Sequence, residues 1–529
     1  MEQKEKRYPV GIQTFSRIIR EGYVYVDKTD LMWHMQRLSP FVFLSRPRRF
    51  GKSLLSSTLH SFFAGEKELF EGLKVMQLEK EWKQYPVLHF DISRLKHKPA
   101  TAIAAELNRQ LEKYESLYGS NASEITPGMK LAGVIERART KTSEQVVIII
   151  DEYDAPLLEH LHEGEDLKVT RAAMQEFYEQ LKASEEHIRF CFITGITKFS
   201  QLSIFSTINN LSNISMLPRY SAICGITEEE LTTRLKDDIK TLADTCHCSE
   251  TEMHQKLKAM YDGYHFSEES PEVYNPFSLL NAFSLGKVGY YWFGSGTPSF
   301  LISQMLRFGT DITSFDDLEA PATAFDRPTE TMTTALPLLY QSGYLTIKKY
   351  DPESQAYTLS LPNQEVRIGY TEGLIPTYTG LDSGEVQMGF AFKFWRALKT
   401  DDIEQALQEM KSYLSSLPYV EGFKRKLEAP ATREGFYEYT FYLIFSMLNV
   451  YVRTQVKCAA GRIDMVVKMP TTLYVFEFKV DGSAQEALDQ IDTKGYAIPY
   501  TTADRRVVKV GVNFSSATRT IEDWVVKGE

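Results

Sequence analysis

The chain has 529 residues, 43% hydrophobic and 25% charged, a balance ordinary for soluble globular protein. Its 60 Lys+Arg against 70 Asp+Glu leave a net charge of −10, which argues against a broadly basic nucleic-acid binder but leaves room for a local basic groove. The opening MEQKEKRYPV has no apolar secretory core and no run approaches ~18 apolar residues, so neither secretion nor a membrane partner is expected.

The length implies about three or four domains. Five cysteines, Cys191, Cys224, Cys246, Cys248 and Cys458, suit a reducing cytoplasm. Cys246-His247-Cys248 has no second ligand pair at finger spacing, so a zinc site is not expected. Tyr23 to Val26 predicts a short strand, and Asp30 an N-cap for a helix over Leu31 to Leu38. This segment is a candidate to lie across a nucleotide base.

Phe41 to Leu44 is a short apolar run that predicts a buried strand. A bend at Pro47 and Gly51-Lys52-Ser53 follow, then Leu54, Leu55, Leu59 and Phe62 at helical spacing. Strand, loop and helix form a phosphate-binding layout, because N–H groups at a helix start and the helix dipole favour anions. The cradle runs Arg46, Pro47, Arg48, Arg49, Phe50, Gly51, Lys52, Ser53 and Leu54. Lys52 is expected on the β- and γ-phosphates of ATP and Ser53 on Mg²⁺. Arg46 stands where the common motif has its first Gly. Taken alone, the loop could also be a solvated basic turn before an ordinary helix, the lesser of the two readings.

Pro86 to Ile92 predicts a second strand, and 100 to 117 and 127 to 140 read as helices. Val146 to Ile150 is a continuous β-branched run and predicts a central parallel strand. Asp151 and Glu152 follow at its C-terminal end, where open α/β sheets place ligands. Asp151 is expected to hold Mg²⁺ through water, and Glu152 to activate the attacking water. A helix from Asp166 to Ala183, a fourth strand over His187 to Thr194 and a fifth over Ser221 to Gly225 complete a parallel sheet with right-handed crossovers. Thr194 either senses the γ-phosphate or caps the next turn. Lys198, Asn209, Asn210 and Arg219 lie in a polar stretch, with Arg219 read as a surface residue rather than an arginine finger.

From Glu228 to about Phe308 the pattern is helical, and Tyr290 to Phe293 are expected to pack a core. Residues 309 to 330 read as a linker. Leu336 to Gly343 predicts a short helix, and Tyr344 to Lys348 with Ala356 to Leu361 two strands about an Asp351-Pro352 turn. Helix plus two-stranded wing is a winged-helix pattern, here without a basic recognition helix and so read as a joint. Residues 386 to 417 read as a helical spacer.

Arg433 to Leu448 predicts an amphipathic helix with Glu434 and Glu438 one turn apart on one face. Two runs flanking Met469-Pro470-Thr471-Thr472 predict a β-hairpin. A turn centred on Pro470 and Thr471 sets Asp464 opposite Glu477, with Lys479 on the same face. Two carboxylates that close repel unless a cation joins them, and Mg²⁺ there would bind a phosphodiester. Lys479 would steady the developing charge. A surface Glu–Lys ladder is the plainer alternative, opposed by the apolar neighbours Val475, Phe476 and Phe478. A helix from Ala484 to about Lys494 carries Gln490 and Lys494 on one face, and Arg505 to Val512 predicts a last strand.

Both centres carry a family resemblance. RPRRFGKS (Arg46 to Ser53), IIIDEYD, TGITKFS and NPFSLLNAF resemble the bacterial AAA-ATPase-like proteins, in which the absent first Gly is a family trait. The C-terminal part resembles the PD-(D/E)xK nuclease superfamily, in the branch often fused to this ATPase. The resemblance implies that Asp464 is the first acid of the motif and Glu477-x-Lys479 its ExK, with Gln490 and Lys494-Gly495-Tyr496 on the following helix. Glu434 or Glu438 matches the preceding helical acid, so Asp464, Glu477, Glu434 and Glu438 are the candidate metal ligands. Ile463 replaces the "P" of the short "PD" pair.

The expected architecture is therefore α/β. A P-loop ATPase with a parallel sheet spans 1–227, a helical domain 228–330, a winged-helix-like and helical connector 331–425, and a restriction-endonuclease-like domain 426–529. The expected function is ATP hydrolysis coupled to metal-dependent cleavage of nucleic acid, DNA first and RNA also open, with defence against foreign DNA as one role. From Lys426 to Glu529 the segment balances 13 Lys+Arg against 13 Asp+Glu. The alternative is a nucleotide-regulated binding switch with an inactive nuclease-like domain. A homo-oligomer stays open.

Overall fold

The computed structural model describes residues 6–161, 164–198, 210–295, 299–311, 315, 317–328, 332–379, 385–416, 442, 451–458, 461–500 and 505–528. They fall into two compact units, one of Met1–Trp292 with Glu319–Thr358, the other of Phe293–Leu318 with Leu359–Glu529. Among the described residues no helix is long and apolar enough to cross a membrane.

The first unit is built on a parallel sheet of β1 (Phe41–Ser45), β2 (Val87–Asp91), β3 (Val146–Asp151), β4 (Ile188–Gly195) and β5 (Ser212–Asn213), ordered β2-β3-β4-β1-β5. β1, β3 and most of β4 are buried on both faces, which is why they read as unbroken apolar runs. Helices Ile103–Tyr118, Pro127–Thr142 and Gly164–Ala183 pack Leu107, Leu131, Val134 and Phe177 against Ile148 and Ile150. All strands run one way, so Ser45, Asp91, Asp151 and Gly195 share the C-terminal edge.

Three local expectations need correction. The fifth strand is Ser212–Asn213, while Pro218–Ile223 forms a 3-10 helix whose Pro at its start cannot donate to a ladder. Tyr23 makes only an isolated bridge to Arg7, and no strand forms over 23 to 26. The helix after it is Thr29–Met35, and Asp27, not Asp30, accepts from Thr29 N at 2.9 Å.

A helical layer follows, opened by the capping box of Thr227 and Glu230, with β6 (Ile226–Thr227) and β7 (Val273–Tyr274) paired beneath it. Tyr8, Val24 and Val26 of the N-terminal segment pack on its core of Leu231, Leu242 and Leu257. The stretch 309 to 330 is not a bare linker, since it holds β8 (Leu318–Pro321) and the helical turn Ala322–Phe325. β9 (Thr346–Asp351) and β10 (Ala356–Ser360) form the expected wing after helix Leu336–Gln341, and β8 adds a third strand in the order β8-β10-β9. Of the aromatic run, Trp292 is buried and Tyr290 exposed.

The second unit includes helices Glu385–Lys399 and Ile403–Ser416 and a five-stranded sheet. Its strands β11 (Tyr451–Cys458), β12 (Gly461–Lys468), β13 (Thr472–Val480), β14 (Arg506–Ser515) and β15 (Thr520–Gly528) stand in sequence order. β13 and β14 are parallel and the other pairs antiparallel. Helix Ala484–Thr493 makes the crossover between them, capped by Ser483 and Glu486. It closes a core of Val466, Val475, Leu488 and Ile491.

Candidate functional sites

β1 ends at Ser45, the loop turns through Arg49 and Gly51, both at positive φ (70° and 92°), and helix Lys52–Phe63 begins. Lys52 is 5% exposed, and its ammonium donates to the carbonyls of Arg46 (2.9 Å) and Pro47 (3.0 Å). Burial pushes its pKa down, while Glu152, Asp151 and Asp154 pull it back. Arg48 and Arg49 are exposed, the latter stacked over Phe277, and Phe50 is buried against Tyr264. The side chain of Arg46 turns inward, away from solvent.

Asp151 closes β3 beside this loop. Burial raises its carboxyl to about 6, against hydrogen bonding from the Ser53 hydroxyl and the charge of Lys52. Its Oδ1 is buried and has no hydrogen-bond partner among the described residues. Glu152 follows in a left-handed bend at φ 51°, sparsely populated for a non-Gly residue. Ser53, Asp151 and Glu152 line a cleft of about 1110 Å³, together with His89 and Lys113. On the other side of Gly51, a pocket of about 90 Å³ is lined by Val24, Val26, Phe50, Leu54 and Leu280.

Thr194 is fully buried, and its hydroxyl donates to Leu44 O at 2.7 Å, tying β4 to β1. Asp154 is a functional candidate that the sequence reading missed. Its Oδ2 accepts from Ile196 N (3.0 Å), Thr197 N (2.7 Å) and Thr197 Oγ1 (2.7 Å), locking the acidic turn to the end of β4. Gly195 makes this possible, because a Cβ there would lie 2.5 Å from Asp154 Oδ1 and 2.6 Å from the Tyr153 ring. The signal was a second Asp three residues after Asp151. Lys198 pairs with Asp326, Asn210 donates to Glu185, and Arg219 is exposed; Asn209 lies outside the described residues.

In the second unit the hairpin pairs Met465 with Phe476 and Lys468 with Leu473, about a turn at Pro470 and Thr471. That register ends at Met465 and Phe476, and Asp464 and Glu477 are the next residues on the two strands. Asp464 Oδ2 accepts from Phe478 N at 2.8 Å. Glu477 is 2% exposed, and its Oε1 accepts from Gln490 Nε2. Gln490 Oε1 accepts from Lys479 Nζ at 2.7 Å, so Glu477, Gln490 and Lys479 form one chain of hydrogen bonds. Helix Ala484–Thr493 comes close enough because Gly511, paired with Glu477 across β14, lacks a Cβ. One there would sit 2.3 Å from Ala484 O. Lys494 caps the helix end and Tyr496 is buried, its hydroxyl 2.9 Å from where a Cβ of Gly461 would stand. Glu434 and Glu438 lie outside the described residues, and among those described no three acids, histidines or cysteines gather as metal ligands.

Comparison with known proteins matches both regions. Residues 9–205 match the family described as predicted AAA-ATPase, and residues 432–524 the PD-(D/E)XK nuclease superfamily. A relative from Azotobacter chroococcum mcd 1, described as an uncharacterized protein in vnfD 5'region, is 33% identical over 535 residues, 99% of each chain.

Proposed function

The chain belongs to the family of bacterial AAA-ATPase-like proteins that end in a PD-(D/E)XK nuclease-superfamily domain, and from that premise we propose that it hydrolyses ATP with Mg²⁺ in its first unit and cleaves nucleic-acid phosphodiesters in its second. One observation supports the ATPase half above the rest. Asp151 Oδ1 is a buried carboxylate oxygen without a donor among the described residues, beside the Ser53 hydroxyl. Such an oxygen is costly to bury, and a hard cation is the partner it fits.

When bound, Mg²⁺ supplies charge neutralisation across the terminal phosphates. Ser53 would hold it directly and Asp151 through water. Lys52 exchanges the Arg46 and Pro47 carbonyls for phosphate oxygens, while the loop N–H groups from Pro47 onward, Pro itself excepted, and on to Leu54 cradle the phosphates. The pocket beyond Gly51 takes the base. Glu152, in the cleft lining, accepts the proton of the attacking water, and Thr194 fixes the strand end beside the γ-phosphate.

In the second unit Asp464 and Glu477 offer oxygen ligands, with Glu434 or Glu438 adding another. Lys479 steadies charge on the phosphate, and Gln490 holds Lys479 and Glu477 together. The substrate is DNA first, with RNA open, in a cytoplasmic setting and with defence against foreign DNA as the role. The binding switch stays as the second reading, favoured by the Glu477–Gln490–Lys479 chain, which already engages the ExK pair.

One panel of variants tests both halves. Lys52→Ala should abolish ATP turnover, and Glu152→Gln should bind ATP yet hydrolyse it at least about 100-fold more slowly. Asp464→Ala and Glu477→Ala should each abolish Mg²⁺-dependent cleavage and leave turnover near the parent rate, while Lys479→Ala cuts less but still binds metal. Full ATPase activity in Lys52→Ala would remove the loop assignment. Calorimetry that shows no Mg²⁺ or Mn²⁺ bound by the parent's second site would leave the switch.

A further inference from the structure

Arg46 is the least ordinary residue of the phosphate loop. It occupies the position where the common loop has a glycine, and it is 2% exposed. One guanidinium nitrogen donates to Ser45 O (2.9 Å) and Ser215 O (2.7 Å), the other to Tyr220 O (3.0 Å) and Ser221 O (3.4 Å). Its plane lies over the Phe266 ring, 4.2 Å from the centroid. Every partner is a neutral carbonyl or a ring face. No carboxylate pairs with it among the described residues, and its Nε is buried without an acceptor. Burial lowers its pKa to about 10, so it stays charged at neutral pH.

A buried charge is normally paired, since desolvation is costly and carbonyl dipoles return only part of it. The neighbouring cation is differently placed, because Lys52 feels Asp151, Glu152 and Asp154. Arg46 has no such acid, yet it is tethered by its own carbonyl to the Lys52 ammonium. The anion missing from this arrangement is one that arrives at the loop.

We propose that Arg46 is a specificity-determining residue, a fixed internal cation whose counter-charge is the nucleotide's polyphosphate and which favours the triphosphate over the diphosphate. It acts through the field it sets at the loop, while its guanidinium stays on the four carbonyls. This rests on the loop being the nucleotide site, and it adds to that reading the reason for an arginine at that position. A charge held in a low-dielectric interior is screened much less by salt than an exposed one, and discrimination of one extra phosphate charge by about tenfold is the size expected of it.

The test uses the full chain carrying Glu152→Gln, titrated calorimetrically with ATP and with ADP in magnesium chloride, beside the melting midpoint of the nucleotide-free protein. With Arg46→Met, ATP affinity should fall about tenfold more than ADP affinity. The nucleotide-free midpoint records a second effect, the loss of the Arg46 bonds to four carbonyls, which falls on ATP and ADP binding alike. Arg46→Lys should keep the preference for ATP. Equal losses of ATP and ADP with a lowered midpoint would make Arg46 a pin for the chain and overturn the inference, as would unchanged ATP affinity. Should Arg46→Met not fold, Arg46→Lys decides alone, and loss of its ATP preference overturns the inference. No binding of either nucleotide by the parent would overturn the loop assignment itself, a result distinct from a lost preference.

Discussion

Asp154 shows how much a single buried carboxylate can govern. Its three bonds to Ile196 and Thr197 cross from the turn after β3 to the turn after β4, so the acids Asp151 and Glu152 and the Thr194 strand end keep one spacing. Tyr153 adds a second tie, its N–H on Thr194 O at 3.1 Å and its hydroxyl on Thr197 O at 3.0 Å. Hydrogen bonds to an ionised acceptor are about twice as strong as neutral ones. Asp154→Asn keeps the shape and removes the charge. It should lower kcat by about tenfold or more while KM for ATP moves less than about threefold, because the proposed phosphate contacts sit on the loop and not on this turn. Steady-state kinetics across ATP concentration separate the two. A rise in KM at constant kcat would mean that Asp154 supports the loop instead.

At the scale of elements, what the sequence disclosed follows what each strand buries. β1, β3 and β4 have both faces covered, so they stand out as apolar runs, and the hairpin register followed from a turn at Pro470 and Thr471. β11 and β15 were not read. TIEDWVVKG is polar over half its length because β15 is an edge strand, and β11 is the opposite edge. β5 has two residues and no pattern to detect. At the candidate sites, spacing pointed to Lys52, Ser53 and Asp151, which the fold brings together, whereas Asp154 and the inward turn of Arg46 depend on contacts between segments far apart in the chain. Gly511 is of the same kind. A Cβ there meets Ala484 O and Leu488 N, which are backbone and cannot rotate aside. Gly511→Ala should push helix Ala484–Thr493 off the sheet, lower stability by about 1–3 kcal/mol and separate Gln490 from Glu477. Cleavage should then fall further than in Gln490→Ala, whose backbone is undisturbed. Equal activity in Gly511→Ala and the parent, at equal melting temperature, would show that the helix accommodates the methyl.

For the whole molecule, the two units carry separate apolar cores. Phe90, Ile148, Ile150 and Phe177 lie in the first, and Val466, Val475, Leu488 and Ile491 in the second. A ligand stabilises the state it binds by RT ln(1 + [L]/Kd), about 2.7 kcal/mol at 100 times Kd, and this accrues to the cooperative unit that holds the site. Units with their own cores melt as their own transitions unless docking couples them strongly. Scanning calorimetry should therefore show two transitions. ATP with Mg²⁺, in the Glu152→Gln background, should raise one of them, and Lys52→Ala should remove that rise. Mn²⁺ without nucleotide should raise the other, and Asp464→Ala should remove that rise while the ATP effect persists. The crossed variants matter most, because each removes one ligand and leaves the other as an internal control. A single transition raised by both ligands, each rise removed only by its own variant, would show that the chain unfolds as one cooperative body. Loss of both rises in either variant would instead show a coupling free energy between the two sites in the folded chain.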